Sequence, residues 1–241
     1  MKDILKIKKV ENYAYGAATT NNKLSNLISF VPSIHDQVDR FSLNFNESCG
    51  IDKKNYLVTY LGGLNDYHNL TLSPFDLVSN MEMDLTRLIK DFGFEQIFVI
   101  GLPPVSLIPG IILLDPLNYN LFKLKVSVHN TLLSQAVSRL SSLYTNVNLS
   151  FFDFGPDFSF LSPWYHNPLP DEEPSYCFDE YEDSDPCTNP EEFFFYDTNH
   201  PTTQAHFALA QFGITLIRKN HFAQRCPKAS NFKIFDDYLN L

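Results

Sequence analysis

Long apolar runs are missing from this chain. The best window, residues 98–114, is interrupted by Pro103, Pro104 and Pro109. It falls short of the ~20 apolar residues that a spanning helix needs, which excludes a transmembrane helix. Basic residues are also few, 18 Lys and Arg against 28 Asp and Glu, for a net charge of -10. The densest basic cluster, Lys6, Lys8 and Lys9, is too small to neutralise a run of phosphates, so no nucleic-acid partner is expected. Gly/Ser linkers and internal repeats are absent, and residues 1–241 therefore read as one domain. The first six residues, Met1-Lys2-Asp3-Ile4-Leu5-Lys6, contain no apolar h-region, so no signal peptide is read in this chain.

Core-forming residues, by contrast, are plentiful. With 22 Phe, 12 Tyr and 44% apolar types, the chain buries enough surface to offset its conformational entropy, which excludes disorder as the main state. The negative charge is local: residues 171–185 hold eight acids and no Lys or Arg, leaving a sum of -2 for the rest. This stretch lacks the glycine and downstream Glu of an EF-hand and reads as a solvated loop. Four cysteines (Cys49, Cys177, Cys187, Cys226) allow three pairings. With three N-x-S/T acceptors at Asn46, Asn69 and Asn148, they lean towards an oxidising, secretory environment.

Along the chain, strands alternate with helices. Residues 10–15 read as a short strand, followed by a loop-like Thr/Asn/Ser stretch to Phe30. Ser33 caps a helix with Ile34, Val38 and Phe41 inward, and residues 56–61 form an apolar strand closed by Gly62-Gly63. Ser73-Pro74 opens a helix that Gly93 stops, burying Leu77, Met81, Leu85, Leu88 and Ile89. Residues 96–101 are a buried strand. Residues 119–143 are a helix with Leu132, Leu133, Ala136, Val137 and Leu140 on one face, and residues 147–154 are a further strand. Residues 202–218 close as a helix with Ala205, Leu209, Phe212 and Leu216 inward. The alternation predicts an α/β fold with a parallel sheet covered on both faces. The aromatic pairs and triplets at residues 151–152 and 193–195 read as core.

In such sheets ligands bind beyond the carboxyl ends of the strands, and three exit loops carry chemistry. Loop one, Asn12-Tyr13-Ala14-Tyr15-Gly16-Ala17-Ala18-Thr19-Thr20, has small residues whose amides a substrate can approach closely. Loop two, Gly62-Gly63-Leu64-Asn65-Asp66-Tyr67, offers a side-chain amide that can donate to an oxyanion. Loop three, Phe195-Tyr196-Asp197-Thr198-Asn199-His200-Pro201-Thr202, sets an Asp three residues before a His at a helix entrance. That spacing lets the carboxylate hold the ring in one tautomer and stabilise its protonated form.

The order and wording of these loops resemble the GDSL esterase/lipase family, also called SGNH hydrolases, and within it the fungal-type acylhydrolases and acetylesterases. Loop one is similar to the family's second block, Gly63-Leu64-Asn65-Asp66-Tyr67 to its third, and Asp197-Thr198-Asn199-His200-Pro201-Thr202 to its fifth. Val31-Pro32-Ser33-Ile34-His35-Asp36-Gln37-Val38, Leu102-Pro103-Pro104, His129-Asn130 and Cys187-Thr188-Asn189-Pro190 look like further landmarks, so the resemblance covers about residues 10–212. It includes an acidic loop at 168–188 and leaves a C-terminal tail at 219–241.

The resemblance implies a three-layer α/β/α, flavodoxin-like fold with a mostly parallel sheet and ester hydrolysis by a Ser-His-Asp mechanism. His200 is then the general base, Asp197 its orienting partner, and Asn65 with the Gly16 and Ala17 amides the oxyanion donors. Two departures stand out. Gly16-Ala17 replaces the usual Gly-Gly, which makes a positive φ at Ala17 costly. The Gly-Asp-Ser-Leu block with its nucleophilic Ser occurs nowhere in the 241 residues, and Ser25, Ser29 and Ser33 lie in the wrong chain order to replace it.

Read this way, the first strand and its crossover, about 30 residues, are missing. In the order 2-1-3-4-5 that strand lies between those at residues 10–15 and 56–61, so the chain is expected to be marginally stable and inactive as given. The complete protein is expected to be secreted, with Cys177 and Cys187 as the disulfide candidate. The expected partner is a small-molecule ester, an acylated carbohydrate or lipid; the alternative function is a non-catalytic relative that binds one. Asp197, His200 and His206 compose a competing metal reading, but the resemblance accounts for the first two without metal, so no metal and no cofactor is expected. His35, His68, His129, His166 and His221 have no assignable partner from sequence.

Overall fold

A computed structural model describes residues 10–25, 30–44, 56–154, 175–179, 185 and 187–220. Cys49, Cys226, His166, His221, Ser29, the Asn46 acceptor, most of the acidic loop and nearly all of the tail lie outside the described residues. Three parallel strands, β1 (Val58–Tyr60), β2 (Gln96–Ile100) and β3 (Asn148–Phe152), form one sheet in the order β1-β2-β3. Val58 pairs with Ile97, and Ile97 in turn with Leu149. Helices α1 (Asn22–Ser25), α2 (Ile34–Asn44), α3 (Pro74–Lys90), α4 (Pro109–Ile112), α5 (Pro116–Leu143) and α6 (Thr203–Lys219) accompany it.

The helix ends follow local chemistry. Ser33 Oγ accepts from the Asp36 amide while Asp36 Oδ2 accepts from the Ser33 amide, a reciprocal cap at the start of α2. Ser73 Oγ accepts from the Phe75 amide, Pro74 occupies the first turn of α3, and Gly93 turns the chain at φ +70° after it. The Phe94 amide then returns to the Leu88 carbonyl. Asp115 caps α5 through the amides of Leu117 and Asn118, so this helix starts one turn before the apolar periodicity does. Thr202 caps α6 through the Ala205 amide.

The two faces of the sheet are separate layers because side chains alternate along each strand. Ile97 and Val99 join Met81, Leu85, Leu133 and Ala136 in the larger core beneath α3 and α5. Phe98 points the other way, against Ile217 and Leu216 of α6 and flanked by Leu57, Ile100 and Phe152. The α/β reading therefore holds, with helices on both faces. All five expected inward residues of α3 are buried. On α5, Leu133, Ala136, Val137 and Leu140 are buried while Leu132 is half-buried. On α6 only Ala205 of the expected set is fully buried; Leu209, Phe212 and Leu216 are half-buried, and Ile214 and Ile217 carry the deep contact. The small sheet reaches only the C-terminal half of that helix.

Two expectations fail. Residues 10–15 are not a strand. Local bonds satisfy the segment instead: Asn12 Oδ1 accepts from the Ala14 amide, and the Ala18 amide closes a turn on the Tyr15 carbonyl. Tyr13 packs edge-on against Phe41 of α2 rather than along β1. The stretch read as loop up to Phe30 contains the short helix α1, where Asn21 Oδ1 accepts from the Lys23 amide at the helix entrance.

Candidate active site

Parallel strands all exit at one end of the sheet, and a third apolar cluster lies there. It joins Tyr67 of loop two, Leu102 and Val105 after β2, Phe194 and Phe195 of loop three and Ala205 of α6, with Leu24 and Leu64 packed against it. Segments far apart in sequence thus share one floor.

Loops one and two are tied directly. Asn65 Nδ2 donates to the Ala18 carbonyl at 3.0 Å, which leaves its second amide hydrogen for another acceptor. The Thr20 amide and hydroxyl both donate to the Asp66 carboxylate at 2.9 Å. Burial pushes Asp66 up to about 6 although these bonds pull the other way. Ala17 sits at φ +60°, the strained left-handed conformation anticipated where glycine is usual. Gly16 and Ala17 are exposed. The amide-bearing turn and Asn65 are neighbours.

Loop three builds its own turn. Asp197 Oδ1 accepts from the amides of Asn199 and His200, and His200 Nδ1 lies 2.9 Å from Asp197 Oδ2. The imidazole side chain is 77% exposed against 19% for the carboxylate. With Nδ1 committed to the carboxylate, Nε2 is the ring nitrogen left to take a proton. Burial raises the Asp197 pKa, but the Asn199 and His200 hydrogen bonds outweigh it and hold the group below its ordinary value. The turn is seated on α4, where the Gly110 amide donates to the Thr198 carbonyl at 2.7 Å. A Cβ on Gly110 would lie 2.7 Å from Asn199 Oδ1, so glycine lets the two backbones meet. Cys177 and Cys187 form a disulfide with Cα atoms 5.0 Å apart. Among the described residues, no group of three or more His, Cys, Asp or Glu side chains is arranged to hold a metal ion.

Sequence reasoning missed a second layer. His129 of α5 is fully buried, with Nδ1 2.9 Å from the Tyr67 hydroxyl and Nε2 without a hydrogen-bond partner. Burial pushes its pKa down to about 4, so it is a neutral ring at physiological pH. Its ring fills the space beside Gly63, whose φ is +110°, and a Cβ there would lie 2.6 Å from Cε1. Gly63 therefore serves both a backbone angle and a close approach. Lys125, one turn before His129, lies over the Tyr67 ring and donates to the Leu72 carbonyl. Asn130 brackets Leu102, accepting from its amide and donating to its carbonyl at 2.8 and 2.9 Å. His35 also has a partner, the buried Asp84 of α3 at 2.8 Å. The signal available in sequence was the adjacent His129-Asn130 on a helix otherwise apolar at that face.

A three-stranded parallel sheet with helices on both faces is the α/β architecture of the SGNH fold. The family model described as GDSL-like Lipase/Acylhydrolase matches residues 2–212, and the chain belongs to that family. A search of the curated proteins finds no match.

Proposed function

We propose that this chain supplies the base, the orienting acid and the oxyanion donors of a Ser-His-Asp ester hydrolase acting on a small-molecule ester, in the manner of the fungal-type acylhydrolases and acetylesterases. The observation that carries this reading is the His200–Asp197 pair at 2.9 Å, made through Nδ1 of an exposed imidazole. In the mechanism a serine hydroxyl attacks the acyl carbon, His200 Nε2 takes its proton, and Asp197 stabilises the imidazolium through Nδ1–H. The proton then passes to the leaving alcohol, and a water molecule repeats the sequence to release the acid. Asn65 and the Gly16 and Ala17 amides stabilise the oxyanion, a contribution of ~10² to 10³ in rate for a single donor.

The second reading rests on a sequence fact: no Gly-Asp-Ser-Leu block occurs in the 241 residues. On that reading the chain keeps the cleft and binds acylated carbohydrate or lipid without turnover. Hydrolysis of p-nitrophenyl acetate by the chain and by a His200→Ala variant separates the two. Turnover that the variant loses supports ester hydrolysis by this chain; equal background supports binding without turnover. We also propose an extracellular, oxidising location, supported by the Cys177–Cys187 bridge.

A further inference from the structure

We propose that the Cys177–Cys187 disulfide is a splint for the Asp197–His200 turn, a positioning element whose loss uncouples the imidazole from its carboxylate. Its catalytic meaning rests on the ester-hydrolase reading; its structural content does not.

The argument starts from where the bridge is anchored. Cys177 belongs to the strip 175–179, which lies outside the three-stranded sheet. The strip runs parallel to the start of loop three through a bridge between Tyr176 and Phe195. The Cys177 amide donates to the Phe195 carbonyl at 3.1 Å and the Phe178 amide to the Tyr196 carbonyl at 2.7 Å. The Phe178 and Tyr196 rings lie 6.1 Å apart on the same contact. On its far side Tyr196 donates its own amide to the His200 carbonyl at 2.8 Å, closing the turn that holds Asp197. The Cys187 amide donates back to the Cys177 carbonyl at 3.0 Å.

Disulfide and loop three are therefore joined by a continuous ladder: bridge, Cys177 and Phe178, Phe195 and Tyr196, His200. The chain leaving Cys187 enters the short 3-10 helix Pro190–Glu192 and reaches Phe194 and Phe195 directly. The covalent link thus fixes both the strip that pairs with the turn and the segment that leads into it. Tyr176 packs on the exit-end core and Cys177 is buried, and closing the strip covalently lowers the entropy that opposes its pairing with loop three.

The opposite edge of the turn is held differently, by the Gly110 amide on the Thr198 carbonyl. That contact fixes the middle of the turn but reaches neither Tyr196 nor His200. Losing the bridge is thus expected to loosen Tyr196 and His200 against the Phe195–Pro201 bridge and the Thr202 amide on the Phe194 carbonyl, which remain, while Thr198 stays seated. The amides of Asn199 and His200, which donate to Asp197 Oδ1, report that event directly.

The test uses the full chain with amide hydrogen exchange read by NMR. Dithiothreitol breaks the S–S bond by two successive exchanges, delivering two electrons and two protons and closing into its own cyclic disulfide, so both cysteines end as thiols. On reduction, exchange at Asn199 and His200 is expected to accelerate at least tenfold, while Leu85 in α3 and Val99 in β2 keep their rates. Reoxidation is expected to restore slow exchange. A Cys177→Ser, Cys187→Ser double variant should reproduce the reduced state, and in both the Asp197 carboxyl should titrate nearer its ordinary value. Unchanged exchange at Asn199 and His200 would overturn the proposal. So would equal acceleration at Leu85 and Val99, which would make the bridge a staple for the whole fold. None of these readouts requires ester turnover, so the p-nitrophenyl acetate assay and this test succeed or fail independently.

Discussion

Two corners of the same rim are held by opposite means. The corner built from Gly63, Tyr67 and His129 is buried: two aromatic rings meet edge-on at 5.8 Å, and a glycine at positive φ lets the backbone lie against the imidazole. The corner built from Asp197 and His200 is open to solvent and is organised by hydrogen bonds across three residues. A histidine sits in each. Burial makes His129 a neutral packing element, while His200 is exposed beside a carboxylate partner. The residue type is shared, and the surroundings decide what it can do.

The largest effect is expected where the buried corner is overfilled. Gly63→Ala adds a methyl 2.6 Å from His129 Cε1 on a strained backbone. A loss of about 3 kcal/mol or more in urea unfolding is expected, because overpacking and an unfavourable φ act together. A loss below ~1 kcal/mol would show that the ring yields freely.

Acid should reveal the buried corner next. His129 titrates near 4 in the fold against an ordinary value near 6.5. Between those values the unfolded chain binds a proton that the native chain does not, so stability falls as pH falls, by about 3 kcal/mol in total. Asp66 does the reverse: raised to about 6 from 3.8, it is protonated in the fold but ionised in the unfolded chain, so stability rises by a similar amount as pH falls through that window. The two nearly cancel in the parent chain. Asp66→Asn is expected to unmask the His129 contribution as a steeper loss between pH 6.5 and 4, read from urea midpoints by circular dichroism; parallel profiles for the two chains would refute the offset.

The exposed corner should be cheap to damage. Asp197→Ala removes acceptors for two amides and the imidazole, yet water can replace them, and a cost of about 1 kcal/mol is expected. A calorimetric loss as large as that of Gly63→Ala would erase the contrast between the corners. The smallest effect is a gain. Ala17→Gly relieves a left-handed residue at φ +60°, a strain of about 1–2 kcal/mol, partly offset by the greater freedom of glycine in the unfolded chain. A rise in melting temperature of a few degrees is expected, and any fall would show that the turn is not strained.

Much of this architecture was readable from residue order. Ser73-Pro74 and Gly93 bound α3, the apolar run at 97–100 marks a strand buried on both faces, and Thr202 opens α6. Asp197 and His200 were readable because their contact is local, three residues apart on one turn. The strand expected at residues 10–15 was misread because a short apolar alternation becomes a strand only with a partner, and Asn12 and Tyr15 offered the backbone local bonds instead. The partners of His129 and His35 were out of reach for a related reason: Tyr67 is 62 positions from His129 and Asp84 is 49 from His35. No periodicity links such pairs.

What the sequence determined by itself were features written within a few residues: helix caps, the apolar phase of strands and helices, the Asp–His turn and the wording of the exit loops. Those depend on backbone sterics and on hydrogen bonds between near neighbours. Tertiary structure decided which histidine is buried and which is exposed, that Asn65 reaches the Ala18 carbonyl, and that a distant disulfide pairs with the turn carrying His200. Burial and desolvation depend on everything that surrounds a group, and those neighbours are assembled only when the chain closes on itself.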